Sequence, residues 1–595
     1  MPARTVPRLH AAPTALHPAP ARKPEGRHPG HISAALLALL YVASPFAVAS
    51  PTESSGYHGS AGRHVHAQQL VRGAKLPSTN GIYVNDQDEL FVTSVVGRSI
   101  TQLNPRNGRV IRTLGPAQGV EAPDDLVFDH AGNLYWTAFL TGEVGRMTPA
   151  GEKTTVANLG RGVNAITISE DGNTLYVSRV FLADEVWAID LTGTNPPHLI
   201  AKDLGGFNGM DIGPDGKLYG PLWYHGQVAR IDPATSGIEI VANGLATPAA
   251  VKFNAAGELF VIDQARGQVL RVDTGNGTLQ AVAEVGEGAD NLAFDSKGRL
   301  YVSNAHDAAI RRVKLNPDES DVRLLTRGGV TTAGGVALHQ ANGRTSLFVA
   351  DIYSLREYAP RTGRLRGIAH SVVGGVTPLN TPFSLAPHGD YLVTTSWFSN
   401  AVQVWDPELE DVVTDYRDFS VPLNAIGFGN DLVVAELGSR CVVQQLANTT
   451  ERIPLGCGFT VPVGLAQRDG KVWVSDWATG SVWQVAEGYK ALASPKLVAS
   501  GLIQPEGLAA TLSGSLLVVE TGADRLVKLD LSTGERSTLA KDLPIGNSGT
   551  PGYPPSWIFN GVAVDDCDVA YVSVDGDRSI WRIADKKAAR CDLSR

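Results

Sequence analysis

A unit of about 40 residues recurs twelve times along this chain, and that period constrains the fold more than any single residue does. Its clearest copy is FNGMDIGPDGKLYGPLWYHGQVARID, residues 207–232. Asn208-Gly209 precedes an alternating run, and Pro214-Asp215-Gly216 supplies the residue types of a tight turn. Residues 217–222 alternate again, 223–226 form a loop, and 227–231 give a third strand before Asp232-Pro233 turns the chain. With 238–242 as a fourth strand, each unit reads as four short antiparallel strands.

The units start at Asn80, Asp124, Asn164, Asn208, Ala249, Asp290, Gly334, Phe383, Asn424, Val463, Glu506 and Asn560. A four-stranded unit cannot bury both faces alone, so neighbours must pack face to face around an axis, as the blades of a β-propeller do. Twelve units exceed the roughly four to eight blades of one ring. The expected fold is therefore all-β, two tandem six-bladed β-propellers, with the first at 66–320 and the second at 321–595. Two closures fit the ends of the rings. In one, the strand near 66–71 completes blade six and residues 321–326 cross over to complete blade twelve. In the other, 316–320 is an ordinary hairpin turn and the N-terminal strand pairs elsewhere.

Composition narrows the class further. With 64 Gly, 35 Pro, 43% hydrophobic and 19% charged residues, the chain is too apolar for disorder and too rich in turn formers for a helical bundle. Residues 1–49 pair a basic front (Arg4, Arg8, Arg22, Lys23, Arg27) with an apolar stretch ending Ala47-Val48-Ala49, the pattern of a secretory signal peptide. A membrane anchor is the alternative, but Ser44 and Pro45 interrupt a run shorter than the roughly 20 residues that span a bilayer. Residues 50–65 read as a flexible linker, and the metal reading of His58, His64 and His66 yields to that of a solvated tail. Removing 1–49 takes the formal net charge from −9 to about −13 and leaves no basic run, which argues against nucleic acid as a partner and leaves a small-molecule substrate or an extracellular ligand. Cys441 and Cys457 flank a hairpin turning near Asn448-Thr449-Thr450, with arms of equal length that set them opposite each other at disulfide distance; Cys567 and Cys591 are the remaining pair, and unpaired buried thiols are the alternative.

The phrases PDDLVFDHAGNLYWT, FNGMDIGPDGKLYG, PEGLAATLSGSLLVVE and FNGVAVDD resemble the NHL-repeat proteins and the six-bladed family of gluconolactonase, regucalcin and strictosidine synthase. The resemblance covers nearly all of the chain after the leader. It implies that Asn and Asp at repeat starts hold a divalent metal, with Asn164, Asn208 and Asp290 at matching kinds of position; the family's first-blade Glu is replaced here by Asn80-Gly81.

The residues themselves point to the same mouth. In this strand order the repeat starts and the loops between second and third strands converge at one end of the channel. Asn80, Asp124, Asn164, Asn208 and Asp290 bring carboxylates and amide carbonyls together, the donors that a hard cation such as calcium takes, at roughly six to eight oxygens. Capping of the inner strands by the same residues is the competing reading. His225 and His306 are the candidate proton-transfer groups, Arg179 or Arg266 a candidate anion holder, and Trp223 with Tyr224 a pocket wall. In the second ring, Phe383 and Val463 suggest an apolar plug, and Trp397, Phe398 and Trp477 a contact face or blade packing. GxSxG, HExxH and P-loop motifs are missing where strand and helix context would support them. Two functions remain: an exported metal-dependent hydrolase or lyase of the gluconolactonase type acting on a lactone or other ester, and a non-catalytic double propeller that binds a protein, glycan or small ligand.

Overall fold

The computed structural model describes residues 60–61, 65–316 and 320–593; the expected leader at 1–49 lies outside them. Twelve antiparallel sheets form two six-bladed propellers, eleven sheets having four strands and one having five. Each blade of the first ring is built from four consecutive strands, from Ile82–Val84 at the axis of blade one to Asp321–Leu324 at the rim of blade six. The ring closes where the inner strand of blade six, Ala289–Phe294, packs against Ile82–Val84. The second ring runs from Val336–Ala341 to Ser579–Asp585 and closes where Val336–Ala341 packs against Val562–Val564.

The strand exchange between rings does not occur. Asp321–Leu324 pairs with Arg311–Lys314 in its own blade, as the short connection between them favours. Val65–Val71 instead pairs with Ser579–Asp585, supplying the fourth strand of blade twelve. The chain after Asp585 turns into a helix, Lys586–Leu593, so that edge is filled from the N-terminal side. The strand placed in the first propeller at residue 66 thus belongs to the second, and the one placed in the second at residue 321 belongs to the first. The segment read as a linker is also partly structured: Ser60–Ala61 pairs with Arg536–Lys541 as a fifth strand of blade eleven.

Alternation along the strands puts apolar side chains between neighbouring blades, so the core is divided into wedges rather than gathered at one centre. Between blades one and two, Phe91, Leu126 and Trp136 are almost wholly buried. Each such side chain contributes about 1.5–3 kcal/mol through burial. At the axis the inner strands come so close that a Cβ on Gly209 would stand 2.4 Å from that of Ala250, which is why glycine follows the repeat start there.

A second device fixes several blades to the next. The second strand carries a buried hydroxyl that donates to the main-chain oxygen of the next blade's start: Thr93 to Asp124, Thr137 to Asn164, and Ser475 to Glu506 at 2.8 Å. Across the closing seam of the first ring, Ser303 Oγ donates to Asn80 O at 2.5 Å and Thr79 Oγ1 to Asn304 O at 2.9 Å.

Both cysteine pairs form disulfides. Cys441 and Cys457 face each other in register on adjacent strands, and Cys567–Cys591 ties blade twelve to the terminal helix. Among the described residues no helix is long and apolar enough to cross a membrane.

Ser303→Ala leaves a buried carbonyl at the seam of the first ring without its donor. It should lower stability by about 1–3 kcal/mol in a denaturant melt, more than loss of the exposed Thr155 hydroxyl does.

Candidate functional site

The mouths of the two rings meet, and a cavity of 120 Å³ lies between them. All six repeat starts of the first ring, Asn80, Asp124, Asn164, Asn208, Ala249 and Asp290, line it. Three of them, Asn80, Asp124 and Asn164, are held there by the hydroxyl latches behind them, which take the main chain of the start and leave its side chain to the axis. Asn80 is bonded at both ends, its Nδ2 donating to Asp290 at 3.3 Å and its Oδ1 accepting from Val95 N at 3.1 Å. Asp124, Asn164 and Asn208 are 8%, 8% and 6% exposed. Among the described residues no hydrogen-bond partner reaches any of their three side chains.

Burial dominates the electrostatics here. It holds the Asp124 carboxyl well above its ordinary range, with the Asp290 and Asp125 charges adding to the effect. Asp290 is pushed up to about 7, burial again being the main cause, against the opposing hydrogen bond from Asn80. Asp125 rises to about 6 by burial, partly offset by the main-chain N–H groups of Leu126 and Ile166. Lysine and arginine are missing from the lining itself, so the socket is electronegative; the nearest cation to act on it is the buried Lys252, which pairs with Asp211 and opposes the rise of Asp125.

The proton-transfer candidates fall elsewhere. His225 is exposed and outside the cavity, lying against Gly205. The alternation that turns Trp223 inward turns the next residues out. Arg179 is also outside: it pairs with Glu185 at 2.6 Å and donates twice to the Arg161 carbonyl. Arg266 is held by Asp263 and Gly244 O. His306 does line the cavity, but it belongs to the seam between rings, its Nδ1 2.9 Å from that of His370 and its carbonyl accepting from Arg356 of the second ring. Burial, with His370 and Arg356 beside it, pushes its pKa down to about 3, so the ring stays neutral at working pH. Of the expected wall, Trp223 lines the cavity, while Tyr224 is exposed and stands against Gly206 and Gly374.

The second ring closes the mouth with aromatics. Tyr353, Phe383, Trp397, Phe398 and Trp557 line the opposite wall. Trp397 and Phe398 were legible as a contact face, and Phe383 as an apolar residue on the axis. Trp557 was not, nor Tyr553, whose hydroxyl donates to Leu140 O at 2.9 Å. Both sit in the segment before the last blade, where the interval between starts, Glu506 to Asn560, is longer than the repeat allows; that excess length was the available signal. Tyr353 extends toward the first ring, and burial together with Asp290 and Asp124 raises its phenol.

The donors that could hold a cation are two carboxylates and three carboxamides, all oxygen. Among the described residues no group of three or more His, Cys, Asp or Glu is placed to hold a metal, so amide oxygens would have to complete the shell.

Residues 57–264 match the sequence model of the family described as the SMP-30/Gluconolactonase/LRE-like region. That stretch is gluconolactonase-like. It runs from before the first described strand into blade five and so carries five of the six repeat starts on the cavity. No curated protein matches the chain. Among solved structures, virginiamycin B lyase from Staphylococcus aureus is similar at 14% identity, over 48% of this chain and 96% of that one, with a TM-score of 0.36. A gluconolactonase from Xanthomonas campestris shares 17% identity over 40% of this chain and 87% of that one, TM-score 0.34. A nidogen/laminin complex gives 16%, 44% and 96%, TM-score 0.34.

The carboxyl shifts carry a pH signature. A folded-state pKa raised above the unfolded value of about 4 favours the folded state fully below that pH, and the benefit is lost as pH rises through about 7. In chelator, Asp290→Asn, which cannot ionise, should therefore gain thermal stability relative to the unsubstituted protein as pH goes from 5 to 8; paired melts at each pH measure it.

Proposed function

We propose that this is an exported, calcium-dependent hydrolase or lyase of the gluconolactonase type that opens a lactone or other ester between its two rings. The observation that carries the reading is the placement of Asp124, Asn164 and Asn208. Three buried oxygen-bearing side chains without protein partners line one cavity with Asp290 and Asn80. Their polar atoms open onto the cavity with no protein group competing for them, so a ligand that supplies charge and coordination suits them. When bound, a divalent cation would polarise the substrate carbonyl and stabilise the negative charge that develops on it.

The chain's own residues supply the rest. With His225 outside and His306 neutral in the seam, proton transfer falls to the carboxyl groups on the cavity, and Asp290, pushed up to about 7, is the one poised to take up or give a proton. Trp223 and the aromatics of the second ring exclude water and orient the substrate. The two disulfides suit an oxidising compartment, in keeping with the leader-like residues 1–49. A second reading, a non-catalytic module that holds a small ligand, draws support from the second ring, which covers the mouth that the substrate of a single ring would enter.

Calcium titration decides between them. Calcium should bind at one site and raise the melting temperature, and Asn208→Ala and Asp124→Asn should each weaken that binding at least about tenfold, a loss of roughly 1.4 kcal/mol by calorimetry. If neither substitution alters the response, the metal site and the enzyme reading both fall. Calcium binding without turnover of any lactone or ester in a panel favours the non-catalytic module.

A further inference from the structure

The cavity joins acids to aromatic rings, and both keep surface open to it. Asp124, Asn164 and Asn208 retain 8%, 8% and 6% of their surface, and their polar atoms are not among those that the fold seals off without a partner. Asp290 also keeps part of its surface open. Of the aromatic rings in the lining, Phe181, Tyr353 and Phe398 are half-buried and the others buried. Each of the three is steadied by a neighbour: Phe181 stands near perpendicular to Trp223 at 5.2 Å, Phe398 near perpendicular to Trp397 at 6.1 Å, and Tyr353 stacks on His306 at 5.9 Å.

Charge does not balance across this lining. Asp124, Asp125 and Asp290 all contribute carboxyls, and Lys252, the cation that acts on Asp125, is itself paired with Asp211 at 3.1 Å. When the three carboxyls ionise, a calcium ion neutralises two of them and leaves one. We propose that the ester or lactone opened here carries a compact alkylated ammonium group, its charge answering the remaining carboxylate and its alkyl groups lying against Phe181, Tyr353 and Phe398. This rests on the reading above that the cavity is the substrate site, and it names the substrate class. A metal ion alone satisfies the oxygens and leaves the rings without a partner, and a neutral apolar group does the reverse. An organic cation meets both, because a ring attracts positive charge over its face and packs against alkyl groups.

Binding can be read without turnover by using ligands that cannot be opened. Choline and its neutral carbon isostere, 3,3-dimethylbutan-1-ol, share a shape and differ in charge. By calorimetry, in calcium and in chelator, choline should bind at least about tenfold more tightly than the alcohol. Phe398→Leu, which keeps an apolar side chain and removes the ring, should weaken choline about two- to tenfold and leave the alcohol nearly unchanged. In chelator the preference for choline should grow from pH 5 to pH 8, because Asp290 and Asp125 gain charge over that range. Across it His306 stays neutral, the Tyr353 phenol keeps its proton and Lys252 stays charged beside Asp211. Equal affinity for choline and the alcohol in either buffer overturns the inference, as does a preference that weakens as pH rises or a Phe398→Leu change that alters both ligands alike. Should that variant fail to fold, the two ligands compared on the unsubstituted protein still decide. If choline is preferred while no lactone or ester is turned over with calcium, the enzyme reading fails and the ligand class stands. If neutral lactones are turned over with calcium while choline shows no preference, the enzyme reading stands and this inference fails.

Discussion

The structure depends on a buried hydroxyl that reaches from the second strand of one blade to the main-chain oxygen at the start of the next. Hydrophobic wedges hold blades together without direction, and many relative rotations would bury similar area. The hydroxyl bond is directional, and where it occurs it fixes where the next inner strand begins. Because Thr93, Thr137 and Ser303 each hold a start residue by its main chain, the side chains of Asp124, Asn164 and Asn80 are left to the axis. The polar socket is thus a by-product of how the ring is fastened, and the latches at the seam matter to the site as much as the residues that line it.

The second ring turns that socket into something specific. A single propeller would present its acids and amides to solvent at an open mouth. Here the loops and strand starts of a second propeller, with the long segment before its last blade, place aromatic rings across the opening. The consequence is a cavity with opposite chemistry on its two walls, and a desolvated setting in which charges on the axis act strongly on one another.

Much of this was legible in the sequence because propeller blades obey a short period. The recurrence of a start residue before an apolar run placed six residues at the axis, five of them Asn or Asp, and equal hairpin arms placed Cys441 opposite Cys457. What failed were readings that needed a direction or a partner far away. His225 follows Trp223 by two positions in a loop that reverses, so one faces in and the other out, and no periodicity tells which. His306 and Tyr224 lie where the rings touch, and contact between two rings leaves no local pattern. The closing strand was undecided for a related reason: its partner is more than five hundred residues away, and edge strands of similar alternation can pair with either ring.

The strand Val65–Val71 gives the chain an unusual order of assembly. Everything from residue 76 to residue 324 is threaded between that strand and the blades it belongs with. During synthesis the first ring has all its strands long before the last blade exists, while the outer strand of blade twelve must wait, unpaired, until Ser579–Asp585 has been made. Cutting the chain between its rings would therefore yield one piece with a full set of strands and one lacking its outermost strand: the two propellers are distinct rings but not separable as genes.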